Sequence, residues 1–248
     1  MNRTAIERRE RSAGGRTFVE LRLSSTSGVN PLSSATVAEI RESMREAAQD
    51  AGVHGLFVTA QGRSFCAGAD VKEFRAFGVE DFRRYMTSIL AMYLEMVRFP
   101  KPIVSLVHAD ALGGGAALAF FSDFVISVRG AKFALPEVHR GLAGGGYLMP
   151  RLLGKQMAAE WVLLGRTFRA QDALAMGLLN VVCEVDELEA HAERIAAELA
   201  LLSPEGLAVA KKSLHAGLTM DLPSAMDAHI AAQTEAFAQA QAAAAAAA

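Results

Sequence analysis

Apolar and polar residues alternate with two different periods along the chain, and the period predicts which segments are strands and which are helices. A period of two, and short runs that are apolar throughout, are typical of strands. Apolar residues spaced three and four apart are typical of helices. Ser34 is available to cap the first predicted helix. The strands predicted in this way lie at 17–23, 55–60, 103–107 and 124–128, and the helices at 35–48 and 82–97. Such alternation of strands and helices predicts an α/β fold with mostly parallel strands.

The pattern changes after about residue 186, where the helical period prevails. Asp186 can cap a first helix, and Ser203 followed by Pro204 is a suitable cap and first-turn pair for a second. A third helix is predicted from Leu222 to about Ala240. These elements predict a helical region at the C-terminal end of the chain.

Two regions follow from these elements, an α/β core at 1–189 and a helical C-terminal region at 190–248. The first 16 residues are rich in arginine, contain Glu7 and Glu10, and have no apolar stretch. This composition fits neither a secretory signal nor an acid-poor transit peptide. We expect a loose segment or an edge strand there.

The composition narrows the class of protein. Of 248 residues, 52% are hydrophobic and 21% are charged, which is enough apolar material for a large core. The formal net charge of -2 gives no basic excess for binding nucleic acid or an anionic membrane. No apolar run reaches the roughly 18 residues of a membrane span. Two cysteines, Cys66 and Cys183, are too few for a disulfide framework, so we expect a reducing, cytoplasmic location.

Three segments carry the residues of chemical interest: GRSFCAGADVKEF at 62–74, HADALGGGAAL at 108–118 and FALPEVHRGLAGGG at 133–146. The first two each place small residues and glycine directly after a predicted strand, where a ligand can approach the backbone closely. The glycine run 113–115 is predicted to open a short buried helix, whose first N–H groups have no partner within the helix. Two such loops facing each other would bind an anion with two backbone donors.

Glycine in these loops is compatible with roles besides anion binding. Each loop taken alone is equally well accounted for by a tight turn that requires glycine. A dinucleotide-binding loop is disfavoured, because Leu118 stands where the third glycine should be and no acidic residue is expected at a strand end about 20 residues further on. The chain also has no Gly-Lys-Ser/Thr element of a phosphate-binding loop.

The three segments, in this order and at these separations, resemble the crotonase superfamily of enoyl-CoA hydratases and isomerases. SFCAGAD and ALGGG are its most specific motifs, and the resemblance covers about 17–240. It implies a spiral of ββα units and a helical C-terminal region that builds a homotrimer or a hexamer. It also implies an acyl-CoA thioester as substrate, with no metal and no permanently bound cofactor.

The resemblance assigns roles to individual residues. The backbone N–H groups of Ala69 and Gly114 would stabilise the thioester enolate. The coenzyme A groove would run along the first loop and the GVNPLS segment, and further positions would contact the substrate. The residues expected to bind the substrate or coenzyme A are Val29, Asn30, Ala67, Gly68, Asp70, Leu112, Ala117 and Leu142.

The chain departs from the family pattern at Ala117, where family hydratases carry the first of two catalytic glutamates. The second glutamate is matched by Glu137, after Pro136. Leu135 and Val138 flank Glu137, and burial against them would raise its pKa toward a useful range. One carboxylate favours an isomerase that moves a double bond from 3-enoyl-CoA to 2-enoyl-CoA, because one base can remove the proton and return it.

Two alternatives remain open. The chain could be a weak or narrow hydratase that uses His139 or a bound water molecule, or an acyl-CoA-binding protein with little turnover. Outside the motifs, we expect Cys66 to be a small buried residue and Asp123 to have a structural role. Lys211 and Lys212 are expected on a solvated helix face. The basic and aromatic segment with which family members usually end is not recognisable here.

Overall fold

The computed structural model describes residues 3–246, and within this range the side chains of 243, 244 and 246 are outside the description. The predicted regions 1–189 and 190–248 therefore each extend two residues beyond the described range. The strands are β1 (Ala5–Ala13), β2 (Arg16–Ser24), β3 (Val53–Ala60), β4 (Ser64–Cys66), β5 (Ile103–Val107), β6 (Asp110–Leu112), β7 (Phe124–Val128), β8 (Lys132–Ala134), β9 (Thr167–Arg169) and β10 (Val181–Cys183). The α-helices are α1 (Ser34–Gln49), α2 (Val71–Phe74), α3 (Val79–Arg98), α4 (Gly114–Phe120), α5 (Met149–Val162), α6 (Ala170–Ala175), α7 (Leu188–Ala200), α8 (Pro204–Thr219) and α9 (Leu222–Ala246), and 3₁₀ turns span Pro136–Arg140 and Val185–Glu187.

The strands form two sheets. The larger has the order β1-β2-β3-β5-β7-β10, with β1 antiparallel to β2 at one edge and the remaining pairs parallel. The smaller has the order β4-β6-β8-β9, with β9 antiparallel to β8. The N-terminal edge strand and the mixed α/β class agree with the sequence prediction.

From β3 to β8, consecutive strands alternate between the two sheets, and this alternation creates the spiral. The pairs β3/β4, β5/β6 and β7/β8 each contribute their first strand to the larger sheet and their second to the smaller one. A helix follows each pair. The predicted spiral of ββα units is therefore present, and the predicted C-terminal helices follow it.

Local side-chain contacts explain where several helices begin. Ser33, rather than the predicted Ser34, caps α1 by accepting a hydrogen bond from the Thr36 N–H. The carboxylate of Asp81 accepts from the Gly78 N–H, so α3 begins three residues before the predicted start. Ser203 caps α8 as predicted, with its hydroxyl accepting from the Gly206 N–H.

The C-terminal helices differ in how they join the core. Ala192, Ala196 and Leu199 of α7 are buried in an apolar cluster with strands of the larger sheet. The predicted boundary at 189/190 thus falls inside a helix that packs on the sheet. Asp186 lies in the 3₁₀ turn before α7 and is not its cap, which is Glu187. Among the described residues, no helix combines the length and apolar character that crossing a membrane requires.

Candidate active site

The three chemically interesting segments meet because each follows one of three adjacent parallel strands. The segment 67–70 follows β4, the segment 113–117 follows β6, and the segment 135–140 follows β8. The strands pair in the order β4-β6-β8 with the same direction. Their carboxyl ends therefore lie at one edge of the smaller sheet, where side chains of α3 close the space from outside.

Two backbone N–H groups at this edge have no acceptor among the described residues. Leu32 and Ala69 form an isolated parallel bridge in which the Leu32 N–H donates to Gly68 O and the Asp70 N–H donates to Leu32 O. The Ala69 N–H takes no part in that bridge. Gly114 is the first residue of α4, so its N–H has no partner within the helix. Both are free to donate to a substrate oxygen.

Glycine allows the two donor loops to approach each other. A Cβ atom at Gly68, which has φ +82°, would lie 2.7 Å from Leu112 O and 3.0 Å from the Gly114 N atom. A Cβ atom at Gly115 would overlap the carbonyl of Cys66. A larger residue at either position would therefore push the loops apart, and a two-donor site requires them close together.

Glu137 lies in the 3₁₀ turn, with its carboxylate between two glycines. A Cβ atom at Gly113 would lie 2.7 Å from Glu137 Oε1, and a Cβ atom at Gly144 would overlap Oε2. Oε2 is buried and has no hydrogen-bond partner among the described residues. Burial raises the pKa of Glu137, opposed in part by its own backbone N–H and by Arg140. A carboxylate with these properties is suited to act as a general base.

Predicted residues from all three segments line one cavity of about 200 Å³. Ala117, 2% exposed, contributes a methyl group where a family hydratase would have a carboxylate. Among the described residues that line the cavity, only Glu137 carries a carboxylate. The predicted site residues in this wall are Ala69, Gly114, Ala117, Glu137 and Leu142.

The other predicted binding residues surround the first loop. Ala67 donates its N–H to Val29 O, which holds the loop against the GVNPLS segment. Asn30 is completely buried with φ +50°, and its amide donates to the carbonyls of Gln61 and Ser64. Asp70 caps α2 by accepting from the Lys72 N–H. These contacts shape the loop, and direct contacts of these residues with coenzyme A remain a prediction.

Two other candidates lie away from the cavity. His139 is exposed and contacts the loop at Gly165, where an added Cβ atom would lie 2.7 Å from its Nε2. It does not belong to the residues that line the cavity. Cys66 is completely buried, and burial raises the pKa of its thiol to about 12. It is the small buried residue that the sequence indicates, because a thiol held in this state is a poor nucleophile.

The expectation for Lys211 was wrong. Its side chain is only 7% exposed, and its ammonium group lies 2.6 Å from Asp123 Oδ2. The same carboxylate oxygen accepts from the Ile103 N–H, which confirms the structural role of Asp123. Lys211 therefore joins α8 to the larger sheet. Lys212 remains exposed, as expected.

Sequence reasoning also missed three tyrosines that line the cavity, Tyr85, Tyr93 and Tyr147. The hydroxyl of Tyr85 donates to Leu32 O at 2.9 Å, and that of Tyr93 donates to Gly114 O at 2.7 Å. Tyr85 and Tyr93 both belong to α3, and their hydrogen bonds support the two donor loops. The helical period places Tyr85 on the buried face of α3, but no local pattern predicts which buried residues reach the cavity.

Comparison with known proteins gives a consistent picture. Residues 15–247 match the model of the family described as enoyl-CoA hydratase/isomerase. The chain is 38% identical over 194 residues to a mevalonyl-coenzyme A hydratase of Aspergillus fumigatus, covering 77% of this chain and 72% of that protein. It is 36% identical over 190 residues to a probable enoyl-CoA hydratase of Bacillus subtilis, covering 72% and 71%.

Solved structures agree with the sequence relatives. A crystal structure of an enoyl-CoA hydratase from Bacillus anthracis superposes with a TM-score of 0.86 at 28% identity, covering 92% of this chain and 89% of that one. Fold, motif order and sequence similarity thus extend over most of the chain. Together they show that the chain belongs to the enoyl-CoA hydratase/isomerase family, the crotonase superfamily.

Proposed function

We propose that the protein moves a double bond in an acyl-CoA thioester, from the 3-enoyl to the 2-enoyl position. The observation that carries the proposal is Ala117 in the wall of the cavity that holds Glu137. Hydration is easiest when two carboxylates divide the proton transfers between them. A double-bond shift requires one group that removes a proton and returns it, and Glu137 supplies that group.

The chemistry follows from the positions of the polar groups. The thioester oxygen accepts hydrogen bonds from the N–H groups of Ala69 and Gly114. Glu137 removes a proton from C2, and the negative charge moves to the thioester oxygen, where the two donors stabilise it. Glu137 then delivers the proton to C4. The carboxylate returns to its starting state, and the double bond ends between C2 and C3.

Hydration of 2-enoyl-CoA is a second candidate, because the relatives reported above are named as hydratases. A one-carboxylate hydratase must use Glu137 both to take a proton from water and to protonate C2. General acid or base catalysis is typically worth a factor of about 100 to 10,000, so the loss of one carboxylate predicts slow hydration.

We also propose that the protein assembles as a homotrimer or a dimer of trimers through its C-terminal region. Large apolar side chains of α8 and α9 are exposed in the single chain, which supports a buried role in an assembly. They are Leu214, Leu218, Leu222, Met226, Ile230 and Phe237. Mass measurement in solution tests this proposal directly, and a monomer would contradict it.

The catalytic proposal is tested with 3-enoyl-CoA and 2-enoyl-CoA assayed side by side. We expect the wild type to convert the first faster than it hydrates the second. Glu137→Gln should lower the isomerisation kcat by about 100- to 10,000-fold, because the amide cannot accept the proton. Isomerisation that survives this change would exclude Glu137 as the base. Binding of both substrates without turnover would identify an acyl-CoA-binding protein instead.

Ala117→Glu is the complementary change. It places a second carboxylate in the cavity wall and should raise hydration relative to isomerisation. A hydration rate that stays at the wild-type level, in a variant that still binds substrate, would contradict the role that we assign to the missing carboxylate.

A further inference from the structure

Three tyrosines line the cavity, and they differ in whether the hydroxyl group already makes a hydrogen bond. Those of Tyr85 and Tyr93 are committed to backbone carbonyls. Within the described part of the chain, the hydroxyl of Tyr147 makes no hydrogen bond. It is therefore the phenolic donor at this site that remains available to a substrate or a water molecule.

The position of Tyr147 is well defined by its neighbours. Its ring stacks on Phe121 with a centroid distance of 6.3 Å and an interplanar angle of 15°. Phe121 in turn stacks on Tyr93 at 4.9 Å. Tyr147 also lies three residues after Gly144, the glycine against which the Glu137 carboxylate packs. The aromatic stack thus holds the tyrosine ring at the edge of the cavity.

The surroundings of this hydroxyl favour a hydrogen-bond donor. Burial and the negative charge of Glu137 raise the pKa of Tyr147 to about 12, so the phenol keeps its proton at working pH. The residue as a whole is 46% exposed, so water reaches it. Glu137 Oε2 is a buried acceptor without a partner among the described residues. A water molecule in the cavity can donate to this carboxylate oxygen, and the phenol of Tyr147 can donate to a water molecule.

We propose that the hydroxyl of Tyr147 holds a water molecule beside the carboxylate of Glu137 and gives this enzyme a hydration activity on 2-enoyl-CoA alongside the double-bond shift. The inference rests on the proposed function, because it uses Glu137 as the base and the same two backbone donors. Tyr147 is a positioning residue in this scheme. It compensates in part for the carboxylate that is missing at Ala117.

The proposed hydration is balanced with one carboxylate. The oxygen of the held water molecule bonds to C3, one of its O–H bonds breaks, and Glu137 takes that proton. The electron pair of the double bond moves toward C2 and the thioester oxygen, where Ala69 and Gly114 donate. Glu137 returns the proton to C2, which gives the 3-hydroxyacyl thioester. Tyr147 donates a hydrogen bond throughout and keeps its proton.

Tyr147→Phe tests the proposal because it retains the ring and its stacking. The initial rate of hydration is measured on 2-enoyl-CoA in ¹⁸O-labelled water, by the label in the hydroxyl group of the product. The initial rate of isomerisation is measured on 3-enoyl-CoA. We expect hydration to fall about 10-fold, as for the loss of one hydrogen bond, and isomerisation to stay within about 2-fold of the wild type.

Tyr85→Phe is the matched control. It also removes a phenolic hydroxyl from the cavity wall, but one that is committed to Leu32 O. Its ratio of hydration to isomerisation should equal that of the wild type. An equal fall of both rates in Tyr147→Phe, or a ratio that both phenylalanine variants change alike, would overturn the proposal in favour of a packing role.

The remaining outcomes separate this inference from the proposed function. A wild type that isomerises 3-enoyl-CoA but adds no ¹⁸O from water to 2-enoyl-CoA overturns the role of Tyr147 and leaves the proposed function intact. Hydration that is unchanged in Tyr147→Phe does the same. A wild type that turns over neither thioester overturns both.

Discussion

One wall of the cavity presents backbone groups, and the other wall presents side chains. The donor wall, residues 67–70 and 113–117, presents backbone N–H groups and is largely buried. Ala116 within it and the adjacent Cys66 are completely inaccessible. The base wall, residues 136–147, presents side chains on a short 3₁₀ turn and a glycine-rich loop that is mostly exposed. The donor wall is fixed by sheet pairing, and the base wall by a few local contacts.

The two walls therefore contribute differently to the reaction: the backbone donors stabilise the enolate, and the side chains of the base wall determine what the enolate becomes. A backbone N–H group is unaffected by most side-chain substitutions, so the donor wall can support one enolate chemistry in many sequences. The reaction that follows the enolate depends on the groups that move protons. In the proposed scheme Glu137 moves the protons, Ala117 supplies no second carboxylate and Tyr147 holds the water molecule. Changing any one of the three should therefore redirect the reaction.

After the loss of the Glu137 carboxylate itself, the largest expected effect concerns a backbone donor. Gly114→Pro removes the N–H at the first position of α4, where proline is otherwise tolerated. Gly114→Ala is its control, because both variants add a Cβ atom about 3.0 Å from the Tyr93 hydroxyl and only proline removes the donor. We expect kcat for isomerisation in the proline variant to be about 100- to 1000-fold below that of the alanine variant. Equal rates would exclude Gly114 as a donor.

A smaller effect is expected in the base wall. Gly144→Ala introduces a methyl group that overlaps the Glu137 carboxylate, so the carboxylate must move. Gly146→Ala is the matched change two residues away, where the nearest atom to an added Cβ is Val162 Cγ1 at 4.0 Å. We expect about a 10-fold loss of kcat in the first variant, equivalent to about 1.4 kcal/mol, and little change in the second. Similar activities of the two would show that the carboxylate does not need this position.

The smallest expected effect is the pH dependence. Burial raises the pKa of Glu137, and the carboxylate form is the base, so kcat/KM for 3-enoyl-CoA should decline as the pH falls through this raised pKa. At a pH equal to the pKa it should be about half its maximum. The folded state binds the proton more tightly than the unfolded state, so the free energy of unfolding should decrease as the pH rises from about 4.5 through the same range.

Glu137→Gln should remove the contribution of this residue to the pH dependence of the unfolding free energy in this range. The measurement is a series of denaturant titrations of both proteins across the range. A wild type whose unfolding free energy rises with pH there more than that of the variant would contradict the raised pKa.

The sequence predicted the elements whose signal is local. The apolar runs at 103–107 and 124–128 coincide with β5 and β7, because strands buried on both faces are apolar throughout. The strands of the smaller sheet have only three residues each and were not predicted. Their pairing joins residues far apart in the chain, and three residues are too few to show a period.

The site residues also divide into those with a local sequence signal and those whose place depends on contacts distant in the chain. Ala69 and Gly114 were assigned through the resemblance of the SFCAGAD and ALGGG motifs to the family. The structure leaves both N–H groups without acceptors among the described residues. The burial of Lys211 could not be predicted, because its partner Asp123 is 88 residues away. Tyr147 lies in a loop without a period, so its place at the cavity depends on the fold of the whole spiral.

The ion pair between Lys211 and Asp123 has a consequence for how the chain can be shortened. Lys211 also donates to the carbonyl of Lys101, so one ammonium group ties α8 to the start of β5. Removing one partner of a buried pair typically costs about 3–5 kcal/mol, a large part of the stability of an ordinary domain. A gene product truncated near residue 189 would keep every residue of the catalytic cavity. It would nevertheless leave the Asp123 carboxylate without its cation and the larger sheet without α7, so α7 and α8 belong to the unit that folds.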